Sequence, residues 1–186
     1  MKTTGISRDG AIGGAAQGAK AAIVDFDGTL FFTDTGTMGA MEEVFGKRIS
    51  KSELWERFPP ELCNYVYKLA ATKYGHEPNA RMISEVRSLG RDHEIIILTG
   101  RSRVVEQVTG NVLRSHGIEF DELITNPDVK VRDYDFKLGR LAELSQRYGS
   151  IKIYDDKQSN IDYFKQNLRH SDCEYYHVSM AGLLRV

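Results

Sequence analysis

The feature that most constrains this chain is the run Ala21-Ala22-Ile23-Val24-Asp25-Phe26-Asp27-Gly28-Thr29-Leu30. Four apolar residues lead straight into two carboxylates one residue apart, and a glycine and a threonine follow. The apolar part reads as a buried strand, and the rest as a turn at its end. In extended chain, residues two apart leave on the same face, so Asp25 and Asp27 would project together.

Further apolar runs repeat the theme. Glu94-Ile95-Ile96-Ile97-Leu98 is short and β-branched and reads as a second buried strand, ending in Thr99-Gly100-Arg101. Ile118 to Thr125 reads as a third and Ile151 to Tyr154 as a fourth, which ends in Asp155-Asp156. Glu174 to Val178 is expected as a last edge strand. Between them lie helical patterns. One carries Met82, Ile83, Val86 and Leu89 and is closed by Gly90, and one runs through Val104, Val105, Val108, Val112 and Leu113 to Gly117. A third carries Phe136, Leu138, Leu141 and Leu144, with Asp133 or Asp135 as its cap, and a fourth carries Ile161, Phe164 and Leu168. Strands alternating with helices predict an α/β fold: an open, mostly parallel Rossmann-like sheet with helices on both faces.

A helical insert interrupts this alternation. Phe31 to Gly36 is expected as a short flap leaving the core, a candidate lid. After it Met41, Val44 and Phe45 recur at helical spacing. Ser50 or Ser52 can cap a helix holding Leu54, Trp55 and Phe58, Pro59-Pro60 breaks it, and another helix carries Leu62, Val66, Leu69 and Ala70. The aromatic residues here are read as packing. The expected division is a flexible tail over 1–19, a core over 20–32 and 78–186, and a small helical cap over 33–77.

Composition narrows the function classes. A chain of 186 residues that is 41% hydrophobic holds one core and a small insert, not two large domains. A formal net charge of -1 gives no global field for nucleic acid or membrane. No apolar stretch approaches the roughly 20 residues of a spanning helix. Cys63 and Cys173 match no metal spacing, so reduced thiols and a cytoplasmic location are expected.

In an open parallel sheet the carboxyl ends of the strands gather along one edge. Asp25 and Asp27, Thr99 and Arg101, and Asp155 and Asp156 would therefore converge. Gathered carboxylates repel unless a cation sits between them or a proton is shared. Hard oxygen ligands without a His or Cys cluster point to Mg²⁺, and Mg²⁺ points to phosphate chemistry.

These residues resemble the haloacid dehalogenase (HAD) superfamily. Its Asp-x-Asp-x-Thr pattern matches Asp25, Asp27 and Thr29, its second-strand Ser or Thr matches Thr99, and its closing acidic motif matches Asp155 and Asp156, with Asn160 at the later acidic position. The resemblance implies a HAD-like fold with a cap and a Mg²⁺-dependent phosphatase. Asp25 would be the nucleophile of an aspartyl-phosphate intermediate and a metal ligand. Asp27 would be the general acid and base, with its backbone carbonyl on the metal. Thr99 would hold a phosphoryl oxygen. Asp156 would bind the metal, supported by Asp155, and Asn160 would act through metal-bound water. The family lysine has two candidates, Lys137 at a helix start and Lys130 in a loop, of which Lys137 is preferred. Thr29, Gly100 and Arg101 are expected at the substrate, with Arg101 reaching a phosphate or ribose edge or else capping the next helix. The acid at position 27 favours phosphoryl transfer over carbon–halogen cleavage. The expected substrate is a small phosphomonoester or nucleotide. A nucleic-acid 3′-phosphate end is the second reading, from similarity to end-repair phosphatase domains, and a non-catalytic binding protein is the third.

Overall fold

The computed structural model describes residues 16–127, 131–170 and 172–186. The first strand, β1 (Ala16–Val24), lies at the centre of a six-stranded sheet. It pairs in parallel with β4 (Glu94–Ser102) on one side and β6 (Tyr148–Asp155) on the other, so that Ile23 faces Ile96 and Ile153. Beyond them lie β5 (Glu122–Asn126) and β7 (Cys173–Ser179), also parallel. The order across the sheet is β5-β4-β1-β6-β7-β8, the last strand being β8 (Gly182–Arg185).

From Ala21 to Val24 the central strand is apolar and buried, because both of its faces are covered there. Ala22, Val24 and Phe26 point into one core, against Met82, Ile83, Val86 and Leu89 of α4 (Ala80–Leu89) and Leu113 of α5 (Glu106–Ser115). Ala21 and Ile23 point into the other, against Leu141 and Leu144 of α6 (Asp133–Leu144) and Ile161 and Phe164 of α7 (Gln158–Asn167). The period of two read from the sequence thus divides one strand between two cores.

The cap stands between β1 and α4. Phe31–Phe32 (β2) pairs antiparallel with Glu77–Pro78 (β3), forming a neck. Above it are α1 (Asp34–Phe45), α2 (Lys51–Arg57), α3 (Pro60–Leu69) and a π-helical turn over Ala70–Tyr74. Ser50 starts α2 by accepting a hydrogen bond from the Glu53 amide at 3.0 Å, and Pro60 opens α3 where no amide donor is needed. Ala40, Met41, Leu54, Cys63 and Val66 make a cap core separate from the other two. Both cysteines are free.

Several expectations need correction. Phe31 is fully buried, stacked on Phe26 with ring centroids 4.8 Å apart, so this segment anchors the neck and is no lid. Strand β4 continues through Thr99, Gly100 and Arg101 to Ser102, because Ser102 still pairs with Asn126. Strand β5 begins only at Glu122, and Ile118 is instead a core residue after the end of α5. Strand β7 is not the edge: Gly182–Arg185 (β8) folds back antiparallel on it. Strand β1 starts at Ala16, ahead of the expected boundary at residue 19, and the rest of the expected tail, residues 1–15, lies outside the described residues. Among the described residues no helix is long and apolar enough to cross a membrane.

Candidate active site

The chain steps from β1 outward to β4 and β5, then returns to β6 on the opposite side of β1. Such a reversal leaves a crevice at the carboxyl ends of the two central strands. Val24 lies opposite Tyr154, and the Asp25 amide donates to the Tyr154 carbonyl at 3.0 Å. Asp25 and the pair Asp155-Asp156 therefore leave the sheet side by side. Each of the three offers a carboxylate oxygen, and these oxygens lie within 4.8 Å of one another.

Lys137, in the first turns of α6, reaches into the cluster. Its Nζ lies 2.8 Å from Asp25 Oδ1, 2.8 Å from Asp155 Oδ2 and 3.6 Å from Asp133 Oδ2. Lys157 adds a second ammonium 3.3 Å from Asp133 Oδ2. Four carboxylates, Asp25, Asp133, Asp155 and Asp156, thus face two ammonium groups, a formal excess of two negative charges when all four are ionised. Burial pushes the Asp25 carboxyl well above the usual carboxylate range, and Asp155, Asp133 and Asp156 add to this against the pull of Lys137. Burial and Asp155 likewise raise Asp156. Burial disfavours the charged Lys137, but Asp155, Asp25 and Asp133 outweigh it and hold the lysine protonated far above its usual range. At Asp133 burial is outweighed by Lys137 and Lys157, which keep that carboxyl low.

The donor set fits a hard divalent cation. Asp156 Oδ1 is buried and has no hydrogen-bond partner, which is costly unless something binds there. Gly28 makes room for this group: its φ is 83°, and a Cβ there would collide with the Asp156 carboxylate. The Asp27 carboxylate stands outside the cluster.

That carboxylate is held instead by Arg101. Nε donates to Asp27 Oδ2 at 2.8 Å and Nη2 to Oδ1 at 2.9 Å, while the Thr33 hydroxyl donates to Oδ1 at 2.6 Å. The guanidinium also lies 4.1 Å above the centre of the Phe26 ring and donates to His76 Nε2 at 3.1 Å. Arginine only donates, so His76 is the tautomer with its proton on Nδ1. Burial and the Arg101 charge push the His76 pKa down to about 4.

The structure brings most of the expected residues together but changes what several of them touch. Arg101 caps neither end of α5: its side chain, 6% exposed, holds Asp27, donates to the Thr109 hydroxyl within α5 at 3.4 Å and lines the cavity. Thr99 is fully buried and accepts from the Arg101 amide at 3.2 Å, and it does not line the open cavity. Thr29 is also fully buried, its hydroxyl 3.4 Å from Asp25 Oδ2. Asn160 turns its amide donor to Asp155, at 3.1 and 3.2 Å, and to Asp133 at 3.4 Å, so it orients these carboxylates. Asp133 caps nothing: it is the first residue of α6, and Arg132 stands at the cap position without a side-chain bond. Gly100 lines the cavity, and a Cβ on it would run into Asp133. Lys130 lies outside the described residues.

Asp133 and Lys157 belong to the site although sequence reasoning left them out. The signals were present: Asp133 precedes Lys137 by four residues on one helix, and Lys157 follows Asp156 directly. A cavity of about 250 Å³ opens above the cluster. Asp25, Asp27, Arg101, Lys137 and Lys157 line its floor, while Trp55 and Tyr67 reach it from the cap. These two rings, read from the sequence as packing, form part of the cavity wall.

No protein-family model matches the chain, and no curated protein matches it. Solved structures do. A haloacid dehalogenase-like hydrolase from Streptococcus pneumoniae superposes with a TM-score of 0.56 at 13% identity, covering 81% of this chain and 82% of that one. A predicted phosphoglycolate phosphatase from Haemophilus somnus gives 0.55 at 14% identity, covering 87% and 85%. A chain of the Pnkp1/Rnl/Hen1 RNA repair complex gives 0.60 at 18% identity and covers 93% of this chain, which spans only 48% of that one. The α/β sheet with its acidic crevice is therefore the HAD-like fold.

Proposed function

We propose that this protein is a Mg²⁺-dependent phosphomonoester hydrolase acting on a small phosphometabolite or a nucleotide. The observation that carries the reading is the convergence of the Asp25, Asp155 and Asp156 carboxylates beside the single ammonium of Lys137, a formal excess of two negative charges. Asp25, Asp155 and Asp156 would hold the ion, with the backbone carbonyl of Asp27, and the bound ion would supply positive charge to the phosphoryl oxygens.

The chain's own residues divide the chemistry. An oxygen of Asp25 attacks phosphorus, the bond to the leaving oxygen breaks, and Asp27, which must carry a proton at this step, gives it to that oxygen. Asp27 then takes a proton from water, whose oxygen attacks the aspartyl-phosphate. Inorganic phosphate leaves and the Asp25 carboxylate is restored. Lys137 neutralises Asp25 and the phosphoryl group throughout, and Arg101 fixes the aim of Asp27. The test is phosphate release from a panel of nucleotides and sugar phosphates with Mg²⁺ or with chelator. Release that depends on Mg²⁺ and disappears in Asp25→Asn is expected, whereas release unchanged in that variant removes Asp25 as nucleophile.

A second reading, a nucleic-acid 3′-end phosphatase, draws support from the likeness to the RNA repair chain over 93% of this one. The net charge of -1 weighs against it, since end-binding gains from a basic groove. A 3′-phosphorylated oligonucleotide turned over far faster than any mononucleotide would favour this reading over the first.

A further inference from the structure

We infer that Trp55 and Tyr67 form a stacking platform for a nucleobase, so that the phosphate turned over at Asp25 belongs to a nucleotide unit. The inference rests on the phosphatase reading above and adds what the cap selects.

The two rings come from different helices, α2 and α3, and meet nearly parallel, with centroids 5.8 Å apart and 20° between planes. Both are half-buried and both line the cavity above Asp25 and Lys137. Both pack against the cap core from outside, as partly buried residues. Leu54, beside Trp55, and Val66, beside Tyr67, are fully buried in the cap core, so the two rings occupy the rim of that core and the wall of the cavity. From the core domain, the buried Val105 lines the same cavity.

The chemistry of this wall separates substrate classes. Among the described residues, the cap contributes two aromatic rings to the cavity and no charged side chain. A sugar phosphate or a small hydroxy-acid phosphate needs polar partners beyond its phosphate, and the cap supplies rings in their place. A planar heterocycle gains from stacking on such rings whatever its hydrogen-bonding edge. Phosphate chemistry on the floor and a flat apolar wall above it together suit a nucleotide, free or at the end of a strand.

Trp55 is the only tryptophan of the chain, so its fluorescence reports on the platform without any turnover. Asp25→Asn protein with Mg²⁺ is titrated with adenosine 5′-monophosphate, a 3′-phosphorylated dinucleotide and ribose 5-phosphate. Saturable quenching by either base-bearing ligand and none by ribose 5-phosphate is expected, and the tighter of the two identifies a free nucleotide or a strand end. Quenching that does not depend on the base overturns the platform, whether or not the wild-type protein proves to be a phosphatase. In kinetics, Trp55→Ala should lower the preference for nucleotide over ribose 5-phosphate, as a ratio of kcat/KM, by about tenfold through KM. Trp55→Phe should restore most of it. A preference unchanged in a Trp55→Ala protein that melts like wild type also overturns the inference.

Discussion

Arg101 grips Asp27 by both carboxylate oxygens, with Nε 2.8 Å from Oδ2 and Nη2 2.9 Å from Oδ1, across 74 positions of sequence. The pair ties the end of β4 to the turn after β1, and the Phe26 ring lies beneath the planar guanidinium. A lysine cannot make two parallel bonds of this kind. Arg101→Lys should therefore leave KM close to wild type and lower kcat by about tenfold or more, measured by steady-state phosphate release. Equal kcat would show that the aim of Asp27 does not depend on the fork.

Lys137 is nearly buried between Asp25 and Asp155. Its replacement by Met leaves those carboxylates and Asp133 without their shared cation, and breaking a buried ion pair from one side costs about 3–5 kcal/mol. Lys137→Met should show that loss in urea denaturation. Added Mg²⁺ should recover part of it, because the ion neutralises the same carboxylates.

Metal binding should itself stabilise the fold. An ion that binds only the native state contributes about 2.7 kcal/mol at 100 times its dissociation constant. A thermal melt with Mg²⁺ should therefore rise above one with chelator. Asp156→Asn should reduce the rise, and Gly28→Ala should do the same by displacing the Asp156 carboxylate. A melt indifferent to Mg²⁺ would argue against the acidic crevice as an ion site.

His76 sets a pH dependence of a different kind. Its pKa in the fold is about 4, while an unfolded histidine binds its proton near 6.5. Between these values the unfolded chain holds more protons, so stability falls as the pH drops from about 6.5 to about 4. His76→Gln keeps an acceptor for Arg101 and removes the titration. The slope of unfolding free energy against pH in that window should be shallower in the variant by up to about one proton, measured by denaturant titration at several pH values.

The sheet was legible because each buried strand announces itself as a short β-branched run, and the acids at the ends of β1 and β6 follow from where such strands stop. What remained hidden was the partner of each polar group. Nothing near Arg101 in sequence points to Asp27, since that contact depends on how far β4 extends, and pairing of Ser102 with Asn126 carries it past the apparent stop at Leu98. Asp133 resembled a helix cap because aspartate at a helix start has two common uses, and only the packing of α6 against the crevice chooses between them. Trp55 and Tyr67 are apolar at helical spacing like true core residues, and sequence alone does not tell the rim of a core from its centre.

The cap's separate core has a consequence for how the molecule comes apart. A unit with its own buried cluster, joined to the rest through the short β2–β3 neck, can open on its own while the six-stranded sheet stays shut. Hydrogen exchange should then find two classes of slow amide: those of α1 and α3 released at low denaturant, and those of β1 and β6 only on global unfolding. In the interval between, the acidic crevice is whole and its roof is gone. Discrimination among phosphate esters would be lost there first, and turnover of a small one last.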